Sequence, residues 1–242
     1  MTENPTRADE LAQALTAVQQ RVAQARAAAD RRDDVLLVVV TKTFPASDVE
    51  LLSSLGVTDV GENRDQEARA KRSECADGTA LRWHMIGQVQ RNKAGSVAHW
   101  ADVVESVDRA SLVSALARAA TAADRTIEVL LQVNLDPDPV PGRGGALPEE
   151  IPGLAESVAA ETGLVLGGVM GVAPHPGRLP VSESASRAFS RLAEVSTRLV
   201  RDHPDAVTIS AGMSGDLEEA IAHGATQVRI GGAILGTRPV VE

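Results

Sequence analysis

A single lysine stands where a long apolar run ends, and its position suggests chemistry. Residues 35–40 are uncharged and mostly β-branched, as is typical of a strand buried on both faces of a parallel sheet. Lys42 follows at the end of that strand. Partial burial there favours the neutral amine, which is the form that attacks carbonyls. We therefore expect Lys42 to hold an aldehyde as a Schiff base; the alternative is a surface lysine at a strand end.

Two segments near the C-terminus have the composition of a phosphate site. Residues 210–216, Ser-Ala-Gly-Met-Ser-Gly-Asp, combine hydroxyls and flexible main chain with the start of a helix. The pair Gly231-Gly232 would let main-chain N–H groups approach an anion without obstruction. We expect the phosphate of a ligand to lie between these segments. The alternative is that Ser214 or Asp216 only caps its helix and the glycines only turn.

Arg229 lies between those two segments, at or just past a strand. A permanently charged guanidinium that is buried at the end of a strand needs an anion or an acceptor nitrogen to offset its burial, and the alternative is a structural ion pair with a carboxylate. A rim lysine, a phosphate site and a buried arginine together suggest an aldehyde that carries a phosphate. Pyridoxal 5′-phosphate (PLP) is a common cofactor of this kind.

The overall composition excludes several classes of partner. The chain has 24 Lys and Arg against 33 Asp and Glu, a net charge of -9, which disfavours nucleic acid and anionic membrane surfaces. Its one cysteine, Cys75, allows no intrachain disulfide and is interpreted as an incidental thiol. The N-terminus has no apolar leader and no run is long enough to span a membrane, so we expect a cytoplasmic protein.

The acid–base inventory is limited. There is no tyrosine, which removes a common catalytic acid or base. His84 lies inside an apolar strand next to Trp83, and we interpret it as a hydrogen-bonded core histidine rather than a base. The other histidines are scattered, and no spacing resembles a metal site, so no metal is expected.

The elements that must position these residues alternate regularly. After an amphipathic helix at residues 6–29, apolar runs predict eight strands separated by helices. This pattern predicts one α/β domain over residues 1–242, a (β/α)8 barrel of the TIM type with an extra N-terminal helix. The main alternative is a doubly wound open sheet. The strands are predicted at residues 35–40, 57–60, 82–87, 103–107, 127–133, 164–170, 207–210 and 226–230.

In such a barrel, function lies at the carboxyl ends of the strands, which here include Asn63 and Met85 as well as Lys42. Two further local predictions concern the loops. Ser47 is predicted to cap the helix that follows Lys42. Residues 135–148 are rich in proline and glycine and are interpreted as a mobile loop.

Several segments, in order and with matching intervals, resemble the PLP homeostasis protein family, whose members look like the isolated N-terminal barrel of alanine racemase. The resemblance implies a fold-type III PLP barrel in which Lys42 forms the internal aldimine and Arg229 faces the pyridine nitrogen. It also implies that Ser210, Gly231 and Gly232 hold the phosphate, and the predicted cofactor site further includes Asn63, Met85, Gly212 and Ser214. The matching segments are residues 39–43, 61–67, 83–93, 105–108, 212–216 and 228–236.

The resemblance implies a PLP carrier without established turnover, which stores the cofactor and delivers it to apo-enzymes. An arginine at the pyridine nitrogen disfavours its protonation, and the racemases need a tyrosine base that this chain lacks. The alternatives are a PLP-dependent enzyme acting on amino acids, racemase- or lyase-like, and a Schiff-base enzyme acting on a phosphorylated sugar. A monomer is expected. Departures from the family pattern fall at Gln88, Ala211 and the loop pair Arg143-Gly144.

Overall fold

Eight parallel strands close into a barrel in the computed structural model, which describes residues 5–75, 80–136, 144–174 and 185–237. Neighbouring strands follow one another in chain order, and the first pairs with the last. The strands are β1 Leu36–Val40, β2 Asp59–Glu62, β3 Arg82–Met85, β4 Val103–Val107, β5 Ile127–Val133, β6 Leu164–Gly171, β7 Thr208–Ser210 and β8 Gln227–Ile230.

Helices lie between successive strands on the outside of the barrel, as a (β/α)8 fold requires. One additional helix, α1, precedes the first strand, so the predicted fold class is confirmed. The helices are α1 Arg7–Ala28, α2 Ala46–Ser54, α3 Asp65–Glu74, α4 Ala94–Trp100, α5 Ala110–Ala122, α6 Ile151–Ala159, α7 Ala185–Asp202, α8 Leu217–Ala222 and α9 Gly232–Leu235.

The hydrophobic core has three parts. The largest cluster lies between the strands and the helices that surround them. A second cluster joins α1 to the outer side of β1 and β8 through residues such as Leu11, Val39 and Val228. A small apolar layer of Val103, Leu130 and Met170 is separate from both, and further buried positions on the strands are polar or charged. Buried polar groups need partners, which the site described below supplies.

Two local predictions differ from the structure. Helix α2 begins at Ala46 after Pro45, whose side chain makes no capping hydrogen bond, so Ser47 lies inside the helix and the predicted cap is wrong. The fixed φ of proline already sets the chain direction there. Residues 137–143 of the predicted mobile loop lie outside the described residues. Its C-terminal part returns to β5, where the Ala146 N–H donates to Gln132 O at 2.8 Å.

Candidate functional site

The ends of β1 and β8 bring three of the predicted groups together. Val38 pairs with Arg229, so the two strands run side by side to the same end of the barrel. Beyond that pair the chains stay close, since a Cβ at Gly231 would lie 3.1 Å from the carbonyl oxygen of Val40. Lys42 follows Val40 by two residues, and Gly231 follows Arg229 by two. Open space surrounds the Cβ position of Gly232. An anion can therefore approach the main chain there.

Lys42 lies in a tight turn directly after β1 and is half-buried. The Phe44 N–H donates to Thr41 O at 3.1 Å, which closes the turn. Thr43 has a φ of 71°, in the left-handed region that a β-branched residue rarely adopts. The chain thus takes an unfavourable conformation immediately beside the candidate Schiff-base lysine.

Arg229 is only 5% exposed, and its neighbours inside the barrel include a carboxylate, which is the structural alternative that the sequence left open. Its NH2 group donates to the carbonyl oxygen of Gly171, the last residue of β6, at 2.9 Å. Its NH1 group donates to Ser210 Oγ at 2.5 Å and lies 3.7 Å from Glu105 Oε2. Burial lowers the pKa of Arg229, and the charge of Glu105 opposes that effect. Two of its five N–H groups are used in these hydrogen bonds.

Ser210 is fully buried, and its hydroxyl is engaged inside the barrel. It donates to Glu105 Oε2 at 2.6 Å and accepts from Gln227 Nε2 at 2.9 Å as well as from Arg229. A hydroxyl has one donor and two acceptor positions, so all are occupied. Ser210 therefore lies next to Arg229 without a free O–H for a phosphate oxygen.

His84 continues the same network towards the other end of the barrel. Its Nδ1 lies 2.8 Å from Glu105 Oε1, and its Nε2 lies 2.9 Å from Asp59 Oδ1. Burial opposes a charged ring, but the hydrogen bonds to Asp59 and Glu105 outweigh it and raise the pKa of His84 to about 9. Burial also opposes a charged Glu105, whose pKa is nevertheless lowered by His84. The expected hydrogen-bonded core histidine thus belongs to a chain of buried charges that ends at Arg229.

Gly212 and Ser214 lie in the loop after β7. Gly212 has a φ of 90°, and its carbonyl oxygen accepts from the Arg229 N–H at 2.9 Å, which joins this loop to β8. Ser214 is partly exposed. Asp216 makes no side-chain cap for α8; its carboxylate instead accepts from the Met213 N–H at 2.6 Å. Of the two serines predicted to contact a phosphate, Ser214 is the more accessible.

Asn63 and Met85 lie together beside β2 and β3. Asn63 is exposed, Met85 is buried in the large outer core cluster, and both line a polar cleft with Gln88 and Lys93. A Cβ at Gly87 would lie 2.2 Å from the carbonyl oxygen of Asn63, so the two loops touch. Contact of either residue with a cofactor stays a prediction.

Sequence reasoning missed several residues that organise the site. Asp59 and Gln227 belong to the interior network. Each is a polar residue in a strand predicted from its apolar residues, and this pattern could have indicated a buried polar contact. Glu67 and Lys71 on α3 contact the turn of Lys42. Nothing in the charged sequence of α3 distinguishes them from solvated residues.

Two kinds of feature are absent from the described residues. Within the ranges given above, no helix combines the length and hydrophobicity needed to cross a membrane. The same part of the chain contains no group of three or more His, Cys, Asp and Glu side chains suited to a metal ion.

Comparisons with known proteins connect this geometry to a family. The family model of the alanine racemase N-terminal domain matches residues 14–239. The pyridoxal phosphate homeostasis protein of Mycobacterium tuberculosis is 41% identical over 254 residues, covering 97% of this chain and 95% of that protein. This chain belongs to the pyridoxal phosphate homeostasis protein family. The resemblance stated from the sequence motifs is therefore confirmed.

Solved structures agree with that family. PipY of Synechococcus elongatus, with PLP bound, superposes with a TM-score of 0.78 at 29% identity, covering 93% of this chain and all of that one. Alanine racemase from Corynebacterium glutamicum has a TM-score of 0.71 at 14% identity, covering 97% of this chain and 62% of that one, and it shows the fold alone. The homeostasis family thus shares the barrel of the racemases.

Proposed function

We propose that this chain binds PLP and takes part in intracellular PLP homeostasis, holding the cofactor covalently on Lys42 without catalytic turnover. The observation that carries the proposal is the pairing of β1 with β8, which sets Lys42, Arg229 and the main chain of Gly231 and Gly232 at adjacent strand ends. An aldehyde, a ring nitrogen and a phosphate need those three kinds of partner. The bound PLP of PipY supports the same reading.

The residues present fit such a cofactor. When bound, PLP supplies an aldehyde for a Schiff base and a ring that withdraws electrons. Lys42 supplies the amine. Arg229 keeps three N–H groups beyond its bonds to Ser210 and Gly171 and would face the ring nitrogen. The open main chain at Gly232 and the hydroxyl of Ser214 would receive the phosphate, while Ser210 would act through Arg229.

The proposal of a carrier rather than an enzyme rests on the acid–base groups available. The chain has no tyrosine, and both ring nitrogens of His84 contact carboxylates inside the barrel. His84 therefore cannot take a proton from a bound amino acid without breaking its network. We propose that PLP leaves the chain by transfer to apo-enzymes.

A spectral titration tests the binding proposal. Wild-type protein mixed with PLP is expected to develop the visible absorbance of a Schiff base, and borohydride should fix the label on the peptide that contains Lys42. Lys42→Ala should lose both signals, whereas Arg32→Ala, which removes an exposed positive charge before β1, should keep them. A wild-type protein that stays colourless with added PLP would refute the proposal.

A second measurement separates carrier from enzyme. The PLP-loaded protein is incubated with a panel of amino acids in deuterium oxide, and deuterium at the α-carbon is followed by mass spectrometry. A carrier is expected to give no exchange beyond that of free PLP. Exchange of many equivalents per protein would instead establish an amino-acid enzyme.

A further inference from the structure

Helix α3 holds both peptide groups that flank Lys42. On one side, Lys71 Nζ donates to the carbonyl oxygen of Thr41 at 2.8 Å, which belongs to the peptide bond between Thr41 and Lys42. On the other side, the N–H of Thr43, which belongs to the peptide bond between Lys42 and Thr43, donates to Glu67 Oε1. Glu67 and Lys71 are one helical turn apart and contact each other at 3.3 Å.

All three N–H donors of the Lys71 ammonium are hydrogen-bonded. It is 4% exposed and donates to Thr41 O, to Glu62 Oε1 and to Glu67 Oε1. An ammonium has three N–H donors, so each has an acceptor. Three acceptors, from the turn after β1, from β2 and from α3, fix its position. Lys71 therefore joins the end of β1 to the helix that lies outside it.

Glu62 supports the cluster from β2. It is fully buried, and its Oε1 accepts from the Thr41 hydroxyl at 2.6 Å as well as from Lys71. Its Oε2 has no hydrogen-bond partner within the described part of the chain. Burial raises the pKa of Glu62 despite the opposing charge of Lys71. Burying a carboxylate costs free energy. Both contacts of Glu62 lead to the turn of Lys42, through the Thr41 hydroxyl and through Lys71.

The cluster also maintains an unfavourable main-chain conformation. A β-branched residue such as Thr43 is strained at positive φ, and that conformation persists only where the surroundings enforce it. The carboxylate of Glu67 holds the N–H of that same residue. A buried ion pair by itself adds little net stability, so stability alone does not account for this placement.

We propose that Glu67 and Lys71 are positioning residues that clamp the turn of Lys42, so that its amine is presented in one orientation to an aldehyde. They act through the main chain on either side of Lys42. This inference rests on the proposed function for the identity of the aldehyde. The clamp itself is a property of the turn and can be measured without PLP.

The test compares three full-length variants with the wild type. Glu67→Ala removes the acceptor, Glu67→Gln keeps an amide oxygen for the Thr43 N–H, and Glu74→Ala truncates an exposed glutamate on the same helix. Hydrogen exchange resolved to the Thr43 amide is expected to rise about tenfold in Glu67→Ala, with PLP binding weakened about tenfold. Glu67→Gln should recover most of both, and Glu74→Ala should match the wild type. Glu67 is part-exposed, so its truncation leaves the core packed.

The two readouts separate failure of the clamp from failure of the proposed function. Wild-type exchange at Thr43 in Glu67→Ala would overturn the clamp, whether or not PLP binds. Faster exchange with unchanged PLP affinity would overturn the positioning role. If the wild type takes up no PLP, the proposed function fails. The clamp is then tested by hydrogen exchange at Thr43 and by the rate at which Lys42 reacts with a simple aldehyde.

Lys71→Met removes the donor to the carbonyl oxygen of Thr41, so it should also raise exchange at the Thr43 amide and weaken PLP binding. Arg69→Met, which changes an exposed residue of the same helix, should match the wild type.

Discussion

Glu105 lies at the centre of the interior network, and its two oxygens serve different neighbours. Oε1 accepts from His84 and from Gln227 at 2.7 Å, while Oε2 accepts from Ser210 and lies near Arg229. When all four groups are ionised, the negative charges of Asp59 and Glu105 balance the positive charges of His84 and Arg229. Charges that are paired and hydrogen-bonded in this way can stay buried. The network therefore serves Arg229, the residue proposed to face the ring nitrogen.

The two serines near the proposed phosphate site should respond differently to truncation. Ser210→Ala leaves Glu105, Gln227 and Arg229 each short of a partner, and we expect it to lower the free energy of unfolding by about 1–3 kcal/mol. Ser214→Ala should change stability by less than about 0.5 kcal/mol but weaken PLP binding about tenfold. Urea unfolding and PLP titration measure both quantities. Equal loss of PLP affinity with unchanged stability in Ser210→Ala would contradict the observed role of that hydroxyl.

The raised pKa of His84 predicts that stability falls at alkaline pH. A group whose folded pKa is above its unfolded value contributes stability that is fully present below pH 6.5 and is lost as the pH rises through about 9. The full contribution is roughly 3 kcal/mol. The lowered pKa values of Asp59 and Glu105 act only in acid. Urea unfolding of the wild type at pH 6 and pH 9.5 should show this loss.

A variant assigns that pH dependence to the histidine. His84→Gln cannot become charged, so it should be less stable than the wild type at pH 6 and show a much smaller change between the two pH values. A wild-type protein equally stable at both, or a variant with an unchanged pH dependence, would rule out a charged His84.

At the scale of elements, the strands were predictable because their apolar, β-branched runs are long and bounded by turn residues. β4 and β5 have the predicted bounds. Helix α6 carries Pro152 and Gly153 near its start, and such residues weaken the helical pattern, so the sequence does not predict this helix distinctly. Residues of the candidate site were predictable only where they lie at or just after the end of a strand, as Lys42 and Arg229 do. The contacts of Ser210 and Lys71 depend on side chains brought from distant strands and helices, which no local pattern encodes.

The loop after β7 depends on a glycine that no other residue can replace without cost. Gly212 has positive φ, and a Cβ there would lie 2.7 Å from the Cβ of Ala220 in α8. Gly212→Ala is expected to lower stability by about 1–3 kcal/mol and to weaken PLP binding, because its carbonyl oxygen positions the main chain of Arg229. Thermal unfolding and PLP titration are the measurements.

A glycine in α6 is the matched control. Gly153 has open space at its Cβ position and lies in a helix, so Gly153→Ala should raise stability by about 0.5–1 kcal/mol and leave PLP binding unchanged. If both substitutions had the same effect, the conformation assigned to Gly212 would not be the reason for its presence.

At the scale of the whole molecule, α1 covers the two strands that carry the site. Its buried face packs with β1, β8, α8 and α9 in one cluster. Its arginines add polar contacts: Arg7 bonds to Asp48 of α2 and to the carbonyl oxygen of Leu235, and Arg21 bonds to that of Ser214. Since α8 and α9 are short, the extra helix supplies packing that they lack. The N-terminal helix therefore supports the closure of the barrel between β1 and β8, at whose ends Lys42 and Arg229 lie.

Truncating a buried side chain of α1 should accordingly affect both stability and the site. Leu11 is fully buried in the α1 cluster, and we expect Leu11→Ala to lower the free energy of unfolding by about 2–5 kcal/mol. Because the lost packing lies behind β1 and β8, PLP should bind more weakly as well, whereas Gln20→Ala on the exposed face of α1 should change neither. Urea unfolding and PLP titration of both variants test this. A destabilised Leu11→Ala protein with wild-type PLP affinity would show that α1 supports the fold without supporting the site.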